Sequence, residues 1–226
     1  MTAPIAFGLT AVFVAVLLLL ERLPSVHRAA YGVVKLSASA TFVLYGVVVV
    51  LRDGVIELPD VPLFGALLLS FLGDALLVPR GHKAVFLGGL LAFLLGHCAY
   101  VGAFVLRGVD PLAFAAAGVV AVFAAIGVMR WLRPHLRGVM RVAVPAYVAV
   151  IGAMVCASVA AVVAAGHGPR AAPGALLIAG TCCFWVSDLA VARERFVADG
   201  YVNRVVGIPL YFFAQLLILE GWQPGR

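Results

Sequence analysis

Two aspartates, Asp74 and Asp188, stand in otherwise apolar stretches, LLLSFLGDALL and CCFWVSDLAV. A carboxylate is costly among so much hydrocarbon, and one found there normally faces a bundle interior or a wet cavity and marks a functional site. Two carboxyl groups in one low-dielectric pocket can hold different protonation states, since each opposes ionisation of the other. One then serves as general acid, and the other as base toward water or as partner to a cation. Glycosidases cleave acetals with this arrangement, through an oxocarbenium-like transition state. The same logic serves a vinyl ether. The acid protonates the alkene carbon, water activated by the second carboxylate adds to the oxocarbenium ion, and the hemiacetal collapses to an aldehyde and an alcohol. The chain has no GxSxG elbow to present a nucleophilic serine, and no HExxH or clustered His/Cys set to hold a metal. No cofactor is therefore expected.

Each acid is followed by a polar residue at one fixed distance. His97 lies 23 residues after Asp74 (97 − 74), and Tyr211 lies 23 after Asp188 (211 − 188). The acidic motif itself recurs at an offset of 114 residues (188 − 74). Two parallel four-helix halves, residues 1–108 and 109–226 of a single domain, are expected from that recurrence.

The elements that must position these residues are membrane helices. The chain is 65% hydrophobic and 12% charged, with a mean hydropathy of +1.14. A soluble domain carries roughly twice that share of charge. Apolar runs of about 15 to 24 residues, near the length that spans roughly 30 Å of hydrocarbon, alternate with short charged breaks. Strand alternation is absent, so the reading is all-α: a polytopic bundle of eight transmembrane helices, near 5–20, 31–51, 62–78, 84–106, 111–129, 142–165, 172–192 and 204–219. The first run lacks a basic leader and a small-residue cleavage site, and counts as a span.

The net charge of +6 could serve nucleic acid, but its distribution points elsewhere. Eleven basic residues, Arg22 to Arg204, fall in the breaks after spans 1, 3, 5 and 7; only Arg52, Arg107, Arg170 and Arg226 lie on the other side. That skew predicts both termini outside and the odd-numbered loops in the cytoplasm. The four cysteines all fall within spans, with no CxxC pair, and read as small core residues.

With that topology the polar residues share a depth. Asp74 and Asp188 each lie about four residues, or roughly 6 Å, from a cytoplasmic helix end. Lys35, Tyr147 and Tyr211 enter their helices from the same side, and His97 lies deeper. Ser70 and Asp74, Lys35 and Ser39, and Tyr211 and Gln215 are four apart; His97 and Tyr100 are three apart. Each pair shares a helix face that can be turned inward. Serine and glutamine also bond between membrane helices for packing alone, and Lys35 can snorkel to the interface. Three classes of function remain compatible with these residues: an intramembrane hydrolase, a proton-coupled small-molecule or lipid transporter, and a structural or sensor protein.

The motifs carry a resemblance. LLLSFLGD in span 3, GHCAY in span 4, FWVSDLAVARERF in span 7 and YFFAQLL in span 8 resemble the YhhN family of eight-span membrane proteins over residues 30–220. The resemblance implies hydrolysis of the vinyl-ether bond of lysoplasmalogens, to a fatty aldehyde and glycerophosphoethanolamine or glycerophosphocholine. It implies Asp74 and Asp188 as the catalytic pair, with Lys35, His97, Tyr147, Tyr211 and Gln215 as substrate-binding residues, to which the shared helix faces add Ser70 and Tyr100. In many members a proline follows the lysine matched by Lys35; here Leu36 follows. The implied partners are a lysolipid and the membrane, with no nucleic acid. The expected setting is a bacterial inner membrane, and the skew of basic residues turns the site toward the cytoplasm. Arg80, Lys83, Arg193 and Arg195, just beyond the two acidic motifs, are placed to meet a phosphate.

Overall fold

Leucine, alanine, valine and phenylalanine fill the runs between charged breaks. In hydrocarbon such a run, lacking strand alternation, forms a helix, whose own bonds satisfy its backbone. The computed structural model describes residues 1–23, 28–52, 54–79, 81–166 and 172–222. Among them eight α-helices are long and apolar enough to cross a membrane: α1 (Ala3–Leu20), α2 (Arg28–Val50), α3 (Asp60–Leu77), α4 (Lys83–Arg107), α5 (Pro111–Leu132), α6 (Met140–Ala164), α7 (Ala172–Ala192) and α8 (Tyr201–Trp222). The protein is an integral membrane protein. Arg80, Arg170 and Arg226 lie outside the described residues.

The boundaries follow from local chemistry. Gly108, at φ +103°, ends α4 in a conformation that disfavours any side chain. Two residues on, Asp110 accepts the Ala113 N–H at 2.7 Å, and Pro111 opens α5. The last helix is longer than the sequence predicts. It starts at Tyr201 rather than 204, carries Pro209 inside it and runs to Trp222.

Helices α3 and α4 pack along each other, as do α7 and α8. Helix α4 leans on α6, while α2 touches both α3 and α8. Helix α1 covers α2 and α8; α5 rests mainly on α6 and turns Val119, Val120, Val122 and Phe123 outward. Phe42, Tyr100, Phe104, Phe184 and Phe212 fill the interior.

The tight pairs depend on glycine. A methyl group built on Gly221 of α8 would lie 2.3 Å from the Leu177 nitrogen of α7, and one on Gly180 would lie 2.8 Å from the Ile218 nitrogen. The start of α8 is clamped as well. Arg204 pairs with Glu21 beyond α1 at 2.8 Å, with Glu194 in the π-helical turn after α7 at 2.6 Å, and with Asp199 at 2.8 Å. Replacement Gly221→Ala forces backbone apart and is expected to cost about 1–3 kcal/mol, the range for overpacking. Thermal unfolding in detergent checks this. Gly8→Ala, where an added methyl meets nothing within 4 Å, should leave the midpoint in place.

Candidate active site

Asp74 sits three residues before the end of α3, and three donors from two other helices converge on it. The Lys35 ammonium lies 3.0 Å from Oδ1. The Ser39 hydroxyl, one turn along α2, donates to Oδ2 at 2.6 Å, and the Tyr211 hydroxyl of α8 donates to the same oxygen at 2.6 Å. The inward stripe expected of Lys35 and Ser39 therefore ends on this carboxylate. Asp74 is 2% exposed and Lys35 15%.

Asp188 has a sparser setting. The Tyr147 hydroxyl of α6 donates to Oδ2 at 2.9 Å. His97 of α4 brings Nε2 to 3.5 Å from that oxygen, while its Nδ1 lies 2.7 Å from the Phe93 carbonyl oxygen. Asp188 is 19% exposed, and His97 is 1% exposed.

The partners are exchanged between the two ends of the chain. Asp74, from the first four helices, is bonded by Tyr211 from the last four. Asp188, from the last four, faces His97 from the first four. A spacing of 23 residues sets each polar residue at the level of an acid, but the acid it meets is the other one.

Aromatic rings join the centres. The Phe184 ring lies 4.6 Å from that of His97 and 5.3 Å from that of Tyr211, both edge-on. Phe93 meets Tyr211 at 5.7 Å, and Tyr147 meets His97 at 5.2 Å. Below this band the Tyr100 hydroxyl donates to Gln215, closing a fully buried bond between α4 and α8. Ser70 is buried one turn before Asp74, and its hydroxyl lies against Gly96 in the α3–α4 seam.

The residue beside each acid has a separate task. A methyl on Gly73 would lie 2.6 Å from the Phe93 ring, so glycine admits that ring next to Asp74. Ser187 donates to the Gly207 carbonyl of α8 at 2.9 Å, and that bond fixes the face of α7 from which Asp188 projects. Sequence reasoning passed over Phe93 and Phe184. The one available signal was Phe93 standing four residues before His97 on the same helical face. Of the basic residues expected to meet a phosphate, Arg193 bonds Asn203 at 2.5 Å and Arg195 lies over the Phe86 ring at 4.2 Å, and both are exposed, as is Lys83.

An apolar cleft of about 240 Å³ opens between α5, α6 and α7, lined by Ala117, Ala121, Gly152, Val155 and Trp185 among others. Trp185 is one turn before Asp188, and among the described residues its indole N–H has no hydrogen-bond partner.

Fold and site together define a helical membrane protein with two carboxylate centres in its interior. The chain belongs to the YhhN family, whose model matches residues 33–222. A protein of Mycobacterium bovis named lysoplasmalogenase is 33% identical over 168 residues, covering 71% of this chain and 60% of the relative. The lysoplasmalogenase of Mycobacterium tuberculosis matches to the same extent. Human lysoplasmalogenase TMEM86A is 32% identical over 161 residues, covering 69% of this chain and 62% of the relative. The chain thus spans about three-fifths of the length of these relatives. No solved structure matches it.

Removing one member of an enclosed ion pair strands the other charge, at a cost of about 3–5 kcal/mol. Lys35→Met should therefore lower the unfolding temperature in detergent markedly. Adding Asp74→Asn to that variant should restore most of the loss, because no charge is left bare. Equal losses in the single and double variants would mean that the two groups are not coupled.

Proposed function

We propose that this protein is an intramembrane hydrolase that cleaves the vinyl-ether bond of lysoplasmalogens by acid–base catalysis with Asp74 and Asp188. The reading is carried by two enclosed carboxylates, set in one aromatic band, in a chain whose curated relatives bear the name lysoplasmalogenase. One carboxyl group protonates the alkene carbon, and the other stabilises the cation and guides water to it. Enclosure strengthens both effects, since charges act over a low dielectric when water is kept out.

A single-chain ether lipid fits the surroundings. Its headgroup would lie at the cytoplasmic interface of a bacterial inner membrane, an orientation that the skew of basic residues supports. Its ether bond would reach the acids about one turn below. Its tail would continue past Trp185 into the cleft between α5, α6 and α7. Lys83, Arg193 and Arg195, all exposed, are the described basic residues beyond the two acidic motifs that would attract the phosphate. The exchange of partners between the acids also supports an origin of residues 1–108 and 109–226 as a duplicated four-helix unit.

Detergent-purified protein incubated with lysoplasmalogen should release free aldehyde with no membrane gradient present. Asp74→Asn and Asp188→Asn should each lower turnover by a factor of about 10² or more, the usual scale for a proton-transferring group. Full aldehyde release by both variants would remove the two acids from the mechanism. Lack of any release by the unmutated protein, together with proton-linked lipid flux in vesicles, would favour transport.

A further inference from the structure

His97 carries an unfinished bond. Its Nδ1 lies 2.7 Å from the Phe93 carbonyl oxygen, an acceptor that holds a proton on that nitrogen. Neutral imidazole then has a lone pair at Nε2. That atom is buried, has no hydrogen-bond partner among the described residues, and lies 3.5 Å from Asp188 Oδ2. A lone pair facing a carboxylate oxygen is repelled by it; one proton between them makes the contact a hydrogen bond. Asp188 has room for that proton, with a single hydroxyl donating to it among the described residues. Asp74 does not: an ammonium and two hydroxyls already point at its oxygens. The other ionisable groups around the pair are Tyr147 on α6, Tyr211 on α8 beyond Phe184, and Asp74 with Lys35 on α3 and α2.

We propose that Asp188 and His97 hold one proton in common, that Asp188 delivers it to substrate, and that Asp74 stays a carboxylate throughout. The delivery rests on the hydrolase reading; the location of the proton does not. On a vinyl ether, the Asp188 O–H gives its proton to the alkene carbon remote from oxygen. The π electrons form the new C–H bond, and an oxygen lone pair forms the C=O bond of the oxocarbenium ion. Water adds to the carbon bonded to that oxygen and returns one proton to the Asp188–His97 pair. The hemiacetal then breaks its bond to the glycerol oxygen, which takes the hydroxyl proton, releasing aldehyde and alcohol. The pair ends with the proton it started with. Asp74, fixed by three donors, faces the cation as a permanent negative charge. His97 touches no reacting atom here; it is a positioning residue that keeps Asp188 charged with its proton.

The test is the carbonyl stretch of a protonated carboxyl group in infrared spectra of the purified protein. The band should persist in Asp74→Asn, vanish in Asp188→Asn and shift in His97→Phe. A band that vanishes in Asp74→Asn, or in neither aspartate variant, overturns the proposal. In the aldehyde assay His97→Phe should lower kcat about 10²-fold with KM little changed. His97→Gln, whose amide oxygen can still accept from Asp188, should retain more. Equal activity in the two variants overturns the positioning role. If Asp188→Asn does not fold, nitrogen NMR of His97 in the unmutated protein decides: a proton on Nδ1 and an accepting Nε2 are expected, and the opposite tautomer overturns the proposal. Should lysoplasmalogen remain uncleaved while the band still belongs to Asp188, the hydrolase reading fails and the shared proton stands.

Discussion

A carboxylate placed in hydrocarbon must be met by donors, and at Asp74 that demand sets the packing of three helices. Lys35 and Ser39 fix the rotation of α2, and Tyr211 fixes that of α8. At Asp188 the same demand orients α4 and α6 through His97 and Tyr147. Six of the eight helices are turned by two acidic side chains. The others are held by different means: α1 is tied at its end through Glu21 to Arg204, and α5 lies on α6 through apolar contact. Without a hydrophobic driving force between helices in lipid, polar convergence and close small-residue packing are what remain to fix a bundle.

Those two devices work side by side in the acidic motifs. In GD the glycine opens space for the Phe93 ring and the aspartate faces the donors. In SD the serine bonds the α8 backbone and the aspartate points toward α4 and α6. Each dipeptide couples a packing residue to a chemical one. Phe93 ties the centres together: its ring packs on Gly73 and Tyr211, and its carbonyl oxygen sets the tautomer of His97.

Much of this was legible in the sequence, because period and composition fix what a membrane helix must do. The eight spans follow from runs of apolar residues, and the pairs four apart identify the inward faces, as Lys35 and Ser39 meeting on one carboxylate confirm. What could not be read is which helix stands beside which. A spacing of 23 residues fixes height along the bundle but says nothing of azimuth, and the acids took partners from opposite ends of the chain. The apolar run alone places the start of α8 near residue 204. The helix nevertheless begins at Tyr201, where Asn203 and Arg204 are tied to Glu194 in the preceding turn. Tyr100 and Gln215 share helical faces with His97 and Tyr211, and spacing alone could not show that they bond each other.

The ring of Phe184 has one more consequence. It lies between His97 and Tyr211, and a phenyl group neither donates nor accepts a proton. Among the described residues, no hydrogen-bonded relay of protein groups runs across that ring from one acidic network to the other. It acts as an insulator between two terminals. A proton could pass from one to the other only on a mobile molecule, so each acid keeps its own charge state while the ring is in place.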